Sequence, residues 1–233
     1  VPSQKERTIT IGINGFMPKD LGRMAEVNTA TTVMLNRINE GKINIVSVNY
    51  KDDVIALPDS IRVARTLVRD PAVDIPGARH IPYLHDVLDE VCNSGSDIIG
   101  YVNSDILIPK TAIVTLLESN VDMICMQRTD IKSCSVSDFE AGNFTVTNPN
   151  HGGVDGVFFT REFWLRNSSL FPRDLIIGEP GWDNVYKLIA EKKVNSFIVR
   201  GLYHVTHKEL WRNISPGGAR NLAIFEKIKA QLA

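Results

Sequence analysis

One segment joins an apolar run directly to a polar triplet that contains a carboxylate. Ile98 to Val102 is largely apolar, Asn103-Ser104-Asp105 follows, and Ile106 to Ile108 is apolar again. A run of this length is typical of a buried strand. The pattern therefore predicts a carboxylate at the edge of a sheet, where open α/β sheets bind ligands. Because an unpaired buried carboxylate is costly, Asp105 should meet a cation, a hydrogen-bond donor or a polar ligand, unless it caps a helix that begins near Pro109.

A pair of acids follows the second predicted strand in the same way. Residues 43–50 form a mostly apolar run, and Lys51, Asp52 and Asp53 come directly after it. In a nucleotide-binding α/β fold, an acid at this position can hydrogen-bond a ribose hydroxyl or a base edge. The alternative for Asp52 is a solvated turn, which is the commoner setting of two adjacent aspartates.

The chain lacks the glycine-rich loops that usually hold nucleotide phosphates. No Gly-x-Gly-x-x-Gly follows the first predicted strand, and there is no Walker-type loop. A nucleotide diphosphate bound here would need a metal ion or basic side chains to neutralise its charge. Asp105 holding Mg²⁺ or Mn²⁺ against the phosphates suits the preference of these ions for oxygen ligands.

A glycine-rich motif opens the strand predicted over residues 154–160. It reads His151-Gly-Gly-Val-Asp-Gly156, and its glycines allow a close approach of backbone or a positive φ angle. Gly153 and Asp155 are therefore candidate substrate contacts. A plain turn is an equally good interpretation of the same residues.

A second motif precedes the helix predicted over residues 183–193. It reads Ile-Gly-Glu-Pro-Gly-Trp-Asp-Asn from Ile177 onward, and its Pro-Gly pair predicts a turn. Asp183 either caps the helix or belongs, with Glu179 and Trp182, to an acceptor-binding cluster that contains a general base. An aspartate held near an apolar ring can have its pKa raised towards a useful value.

Two histidines lie three residues apart near the end of the chain, in Tyr203-His-Val-Thr-His207. On an extended segment this spacing puts His204 and His207 on opposite faces. We therefore expect one of them, rather than both, to complete a metal site built on Asp105.

The elements that must position these residues alternate between strand and helix in the first half. This order predicts an α/β fold with a mainly parallel sheet, and the second half is more mixed. Strands are expected over residues 8–14, 43–50, 96–105, 123–127, 154–160, 196–200 and 202–207. Helices are expected over residues 22–39, 59–69, 83–92, 110–117, 161–166, 183–193 and 218–232, with irregular segments over 71–82 and 133–149.

Composition places the chain among ordinary globular proteins and predicts a single domain. It has 233 residues, 43% of them hydrophobic, and a formal net charge of -1, so no overall basic field attracts nucleic acid. No apolar run approaches the ~20 residues of a transmembrane helix. Three cysteines without CxxC spacing favour a cytoplasmic location, or the secretory lumen if a signal or anchor has been removed. Three Asn-x-Ser/Thr triplets, at Asn143, Asn167 and Asn213, keep the second location open.

The order of these motifs resembles that of the GT-A-type glycosyltransferases that use nucleotide-diphospho-sugars. The matching islands are the strand with Asn-Ser-Asp, then Gly-Gly-Val-Asp-Gly-Val-Phe-Phe, Ile-Gly-Glu-Pro-Gly-Trp-Asp-Asn, and Tyr-His-x-x-His, within residues 8–210. The resemblance implies one Rossmann-like domain, with a nucleotide-sugar half over residues 1–110 and an acceptor half over 111–233. It also implies a hexosyl- or pentosyltransferase that uses Mn²⁺ or Mg²⁺ and belongs to carbohydrate biosynthesis.

The resemblance assigns roles to individual residues. Asn103-Ser104-Asp105 corresponds to the family's Asp-x-Asp motif, with Asn103 in place of its first acid, which puts metal dependence in doubt. Asp52 would contact the base or ribose, and Arg79 the diphosphate. Glu179 to Asp183 corresponds to the segment that holds the base of inverting members, and His207 or His204 to a metal or phosphate contact, with His207 preferred.

The reaction implied is transfer of a sugar from a UDP- or GDP-sugar to a hydroxyl of a glycan or another acceptor. The metal and Arg79 would stabilise the leaving diphosphate. If the enzyme inverts, Asp183 or Glu179 would take the acceptor proton; if it retains, these acids bind substrate instead.

Three rival interpretations stay open. A sugar-phosphate nucleotidyltransferase shares the scaffold, but it usually has a glycine- and lysine-rich loop after the first strand, and residues 13–19 contain a single glycine. A non-catalytic carbohydrate- or nucleotide-binding domain is favoured by Asn103. The chain would also suit one domain of a larger polypeptide, with part of the chemistry elsewhere.

Overall fold

The structure is a computed structural model that describes residues 6–18, 21–206 and 215–232. The strands of this described part join one sheet, in the spatial order β3-β2-β1-β4-β8-β6-β9-β5, with β7 paired to β6. The strands are β1 (Ile9–Ile13), β2 (Asn44–Val48), β3 (Arg62–Ala64), β4 (Ile98–Val102), β5 (Ile106–Leu107), β6 (Met123–Ile131), β7 (Val146–Asn148), β8 (Val154–Thr160) and β9 (Ser196–Val205).

The two halves of the chain contribute differently to this sheet. β3, β2, β1 and β4 are all parallel, so their carboxyl ends meet at one edge. β8 then pairs antiparallel with both β4 and β6, β9 lies parallel to β6, and β5 pairs antiparallel with β9. The predicted α/β class, with a parallel first half and a mixed second half, is confirmed.

Helices cover both faces of the sheet. They are α1 (Leu21–Asn39), α2 (Pro71–Asp74), α3 (Leu84–Cys92), α4 (Lys110–Glu118), α5 (Val136–Ala141), α6 (Arg161–Asn167), α7 (Trp182–Lys193) and α8 (Pro216–Leu232), with a 3-10 turn at Ser168–Leu170. One apolar core lies between the sheet and α3, α6 and α7, and a second lies between the sheet and α1 and α4.

Strand periodicity divides the apolar side chains between these two cores. Ile99 and Phe159 belong to the first core, and their neighbours Ile98 and Phe158 belong to the second, since successive side chains of a strand point to opposite faces. Because both faces are covered, the central strands β1 and β4 are apolar almost throughout. Close packing also explains Gly12 in β1, where a Cβ atom would lie 2.6 Å from the side chain of Val91 on α3.

Five of the predicted segments are corrected. The helix predicted over residues 59–69 is wrong, because Arg62–Ala64 is instead an edge strand paired with β2; sheet pairing here outweighs a helix-like pattern. The irregular segments contain α2, with Asp70 as its N-cap, and α5 and β7. The two segments predicted over 196–207 form one strand, β9, with a register shift in its middle.

Two expectations from composition concern the described part of the chain. Cys92, Cys125 and Cys134 are free thiols, and the first two are buried in the core. Among the described helices, none is both long enough and apolar enough to cross a membrane.

Candidate functional site

Strand register brings His204 between two carboxylates. His204 on β9 is paired with Ile106 on β5, directly after Asp105, and with Asp130 on β6. Its Nε2 lies 3.4 Å from Oδ2 of Asp105, and its Nδ1 lies 3.3 Å from Oδ1 of Asp130. All three residues are buried, so each ring nitrogen of His204 faces one carboxylate.

This arrangement changes the acid–base properties of His204 and Asp130. Burial disfavours the protonated ring, but the hydrogen bonds with Asp105 and Asp130 outweigh it and raise the pKa of His204 to about 9. Burial alone would raise the pKa of Asp130, yet its hydrogen bond with His204 and the charge of Arg128 hold that pKa below its usual value. At neutral pH the histidine is therefore a cation between two anions.

Arg128 extends the network from β6 to β8. Its Nε donates to Oδ1 of Asp130 at 2.9 Å, and one terminal nitrogen donates to Oδ1 of Asp155 at 3.1 Å. Its other terminal nitrogen lies 3.1 Å from Nε2 of His151. Since the Arg128 side chain is largely buried, its single positive charge is shared by two carboxylates inside the protein.

Asn103 closes the network on the side of β4. Its amide nitrogen donates to Asp155 at 3.0 Å, and its amide oxygen accepts from the hydroxyl of Tyr101, also at 3.0 Å. The ring of Tyr101 meets that of Trp182, the first residue of α7, edge to face at 5.9 Å. The end of β4, the start of β8 and the start of α7 are thus in contact.

Arg23 on α1 is a second cationic partner of Asp105. A terminal nitrogen of Arg23 donates to Oδ2 of Asp105 at 2.5 Å. Helix α4 has Pro109 at its N-cap and no side-chain capping bond, so the alternative that Asp105 caps this helix is wrong. The prediction that Asp105 meets cationic groups at the edge of the sheet agrees with these contacts.

Asp183 lies beside the motif that opens β8. Gly181, with φ of 98°, is the N-cap of α7, and Asp183 is the second helical residue. Backbone groups of Asn184 and Val154 near its carboxyl group favour the charged form of Asp183. Burial, followed by the nearby charge of Asp155, raises the pKa of Asp183 above the usual aspartate value. An aspartate of this kind is better suited to accept a proton near neutral pH than an exposed one.

Gly153 matters because it leaves room for neighbouring side chains, since its backbone angles are not unusual. Gly153 is not among the glycines of positive φ, but a Cβ atom there would lie 2.7 Å from the ring of His151 and 3.5 Å from Oδ2 of Asp183. The absence of a side chain thus lets His151 and Asp183 approach this strand.

Glu179 and Arg79, to which separate roles were assigned, bind each other. Nε of Arg79 donates to Oε1 of Glu179 at 2.7 Å, and the guanidinium also donates to the carbonyl of Gly178. The Glu179 side chain is 2% exposed and that of Arg79 is 49% exposed. The pair therefore has a buried anionic end and a cationic end that reaches solvent.

At the end of β2 the ordered acid is Asp53 rather than Asp52. Asp52 is exposed, whereas Asp53 accepts from the backbone of Tyr50 and from the side chain of Asn49, both at 2.9 Å. His80 lies between Asp53 (3.3 Å) and Asp70 (2.7 Å). Asp52 is thus available to solvent at the same edge of the sheet as Asp105.

The structure brings the predicted residues together in two groups. Around the network lie Asn103, Ser104, Asp105, Gly153, Asp155, Trp182, Asp183 and His204. Asp52 is exposed at the end of β2, and Arg79 and Glu179 bind each other. Arg23, Arg128 and Asp130 were not singled out from the sequence, and His151 was named only as the first residue of its glycine-rich motif. The i, i+2 spacing of Arg128 and Asp130 on one face of β6 was a usable signal.

A metal ion at Asp105 would need ligands from outside the protein, because the side chains that the structure describes there are too few to complete its coordination. Across residues 6–18, 21–206 and 215–232, no group of three or more His, Cys, Asp or Glu is arranged to hold a metal ion. His207 lies outside the described residues. Asp105 and His204 do face each other, with Asp130 on the far ring nitrogen of His204, which is how carboxylates orient metal-binding histidines. Once Nε2 of His204 has given up its proton, two such ligands suit Mg²⁺ or Mn²⁺ that is completed by substrate phosphates and water.

Comparisons with known proteins found no sequence relative. No family model matches the chain, and no curated protein matches it. One similar solved structure is a glycosyltransferase involved in the glycosylation of the major capsid of PBCV-1, at 10% identity over 94% of this chain and 99% of that one, with a TM-score of 0.41. The glycosyltransferase GlyE of Streptococcus pneumoniae TIGR4 is 9% identical over 98% of this chain and 64% of its own, with a TM-score of 0.39. The galactosyltransferase LgtC, solved with donor and acceptor sugar analogs, is 11% identical over 97% and 96%, with a TM-score of 0.35.

Proposed function

We propose that the protein is a glycosyltransferase that moves a sugar from a nucleotide-diphospho-sugar to an acceptor hydroxyl. The observation that supports this most directly is the buried network in which Asp105, His204, Asp130, Arg128 and Asp155 are joined through contacts of 2.9–3.4 Å. The network lies where β4 and β8 meet, beside the half-buried carboxyl of Asp183. A site with several fixed charges of both signs suits a substrate that has a diphosphate at one end and hydroxyl groups at the other.

The donor half of the proposed site is the carboxyl edge of the parallel strands, in residues 1–110. Asp52 is exposed there and would bind the base or the ribose. Asp105 and His204 would hold Mn²⁺ or Mg²⁺, with Asn103 and Ser104 close by; when bound, the cation would stabilise negative charge on the leaving diphosphate. Arg79 would add a further positive charge, because its guanidinium is half exposed although it also binds Glu179.

The acceptor half of the proposed site is formed by residues 111–233. Asp183 is our candidate for the base that takes the acceptor proton, since its pKa is raised and its carboxyl lies beside Gly153 and Asp155. Glu179 is the weaker candidate, because it is buried against Arg79. Trp182 and Gly153 would shape the pocket for the acceptor sugar.

Calorimetric titration of UDP and GDP, each with and without Mn²⁺, tests the donor assignment. We expect one nucleotide to bind at micromolar dissociation constant in the presence of Mn²⁺. Asp105→Ala should abolish that binding, and Asp105→Asn serves as a second variant if the alanine variant does not fold. Asp59→Ala, at an exposed turn, is the matched control and should bind as the wild type does.

Either of two other results would contradict the proposal. If neither nucleotide binds to the folded protein under any of these conditions, the assignment of a nucleotide-sugar site is wrong. If a nucleotide binds equally well to Asp105→Ala, the site lies elsewhere. Release of UDP or GDP from a sugar nucleotide, measured on the variant panel, then separates transfer from simple binding.

A further inference from the structure

Arg23 occupies the carboxylate oxygen that faces His204. The Arg23 guanidinium donates to Oδ2 of Asp105 at 2.5 Å, and Nε2 of His204 lies 3.4 Å from the same oxygen. The Asp105 side chain is 10% exposed and that of Arg23 is 26% exposed. A charge-assisted hydrogen bond this short to a largely buried carboxylate is one of the stronger polar interactions in proteins.

We propose that Arg23 is an internal competitor for the cation site, so that a divalent cation binds well only together with a diphosphate. This inference rests on the proposed function and adds that the metal ion and the donor diphosphate bind together. A cation held between His204 and Asp105, where the two side chains face each other, would take over the oxygen that Arg23 now holds. Arg23 thereby couples occupation of the metal site to the arrival of the donor.

Electrostatics explains why the cation alone should bind weakly. Displacing the guanidinium breaks its bond with Asp105 and leaves a positive charge next to a divalent ion, with Arg128 also nearby across Asp130. Arg23 and the metal ion would have to share the carboxylate of Asp105. Asp130 and Asp155 are already bound by Arg128. Each of these three carboxylates therefore already has a cationic partner without an added metal ion.

A diphosphate removes this obstacle because it brings its own negative charge. The released guanidinium can then pair with phosphate oxygens, for which its planar fork of donors is well suited. Arg23 lies in the first turn of α1, where it also pairs with Glu26 of the same helix, at 3.4 Å. Arg23 can therefore replace its bond to Asp105 with one to a phosphate while it stays paired with Glu26.

The test is the affinity for Mn²⁺ alone, measured from the electron paramagnetic resonance signal of free Mn²⁺ at constant pH. Arg23→Gln should bind Mn²⁺ about tenfold more tightly than the wild type, a change typical of coupling between sites. Arg23→Lys retains the charge and should stay close to the wild type. Arg62→Gln removes an exposed arginine that pairs with Glu90 away from the network and should change nothing.

A second measurement checks the coupling itself. Addition of UDP or GDP should tighten Mn²⁺ binding much more in the wild type than in Arg23→Gln, after correction for Mn²⁺ bound to free nucleotide. Equal tightening in the two proteins would contradict the coupling. Mn²⁺ binding that is unchanged or weaker in folded Arg23→Gln, or absent from every variant, would overturn the proposal.

Failure of the proposed function gives a different pattern. If Arg23→Gln binds Mn²⁺ tightly, and Asp105→Asn in the same background abolishes that binding, the competition is real even when no nucleotide binds. If nucleotide affinity changes neither with Mn²⁺ nor in Arg23→Gln, the protein still has a donor site, but the proposed competition by Arg23 is wrong.

Discussion

The amide nitrogen of Asn103 donates a hydrogen bond to Oδ1 of Asp155 at 3.0 Å. This bond connects the end of β4 to the start of β8, where the sheet changes from parallel to antiparallel. Asn103 is the residue that stands in place of an acid in the resembled Asp-x-Asp motif. Its amide provides a donor that a carboxylate at this position would lack.

We therefore expect Asn103→Asp to destabilise the protein. Two carboxylates would face each other at hydrogen-bond distance, and the loss of the donor and the repulsion should lower the free energy of unfolding by about 1–3 kcal/mol. Urea unfolding measures this change. Asn28→Asp adds the same charge on the exposed surface of α1 and should alter stability by less than about 0.5 kcal/mol. Equal stability of Asn103→Asp and the wild type would contradict the role given to this bond.

The Arg79–Glu179 pair should be more sensitive to loss of its cation than to loss of its anion. Arg79→Met leaves the buried Glu179 carboxylate without that guanidinium, and we expect a loss of about 2 kcal/mol, less than for a fully buried pair because Arg79 is half exposed. Glu179→Gln retains an acceptor and should cost less. The double variant should recover part of the loss in a double-mutant cycle. Additive effects would show that the two side chains act independently.

Asp183→Asn should separate turnover from stability. Because burial and Asp155 raise its folded pKa, the charged form of Asp183 is disfavoured in the native state, and stability falls as pH rises from the usual aspartate range through that raised pKa. At neutral pH the asparagine variant should thus be at least as stable as the wild type. If Asp183 is the base, turnover should fall by about 10²–10⁴-fold. Loss of the folded state would instead assign it a structural role.

The free energy of unfolding should depend on pH through His80, which lies near the end of β2. Burial opposes its protonated form, but the hydrogen bond with Asp70 and the charges of Asp70, Asp53 and Asp52 together raise its pKa. The stabilisation is therefore complete below the unfolded value of about 6.5 and is lost as pH rises through the folded pKa. Since His80 is 41% exposed, the effect should be small. Urea midpoints of the wild type and His80→Gln should differ most near about pH 6 and converge at higher pH; a constant difference would exclude this titration.

Sequence patterns sufficed for the elements whose residues are apolar at a regular period. The strands at residues 9–13, 98–102 and 154–160 and the helices at 84–92 and 182–193 agree with expectation to within three residues. The helix expected over 59–69 failed, because Arg62–Ala64 obtains its hydrogen bonds from β2. A three-residue edge strand has too few side chains to show a period of two.

The location of the candidate site was predictable in part. Asp105, Asp155 and Asp183 were each recognised from a local motif, because an acid beside an apolar run or a glycine turn is unusual. Arg128 and Asp130 were not singled out, since charged residues near the end of a strand are common on protein surfaces. Their burial depends on the neighbouring strands β8 and β9.

The amino-acid order by itself determined the α/β class, the parallel first half and the acid at the end of β4, because apolar periodicity and chain connectivity are local properties. Only the tertiary structure decided which charges meet. Arg23 is 82 residues from Asp105, and His204 is 74 residues from Asp130. Contacts of this kind follow from strand register and from the placement of α1, and a shift of one residue in β9 would turn His204 to the other face of the sheet.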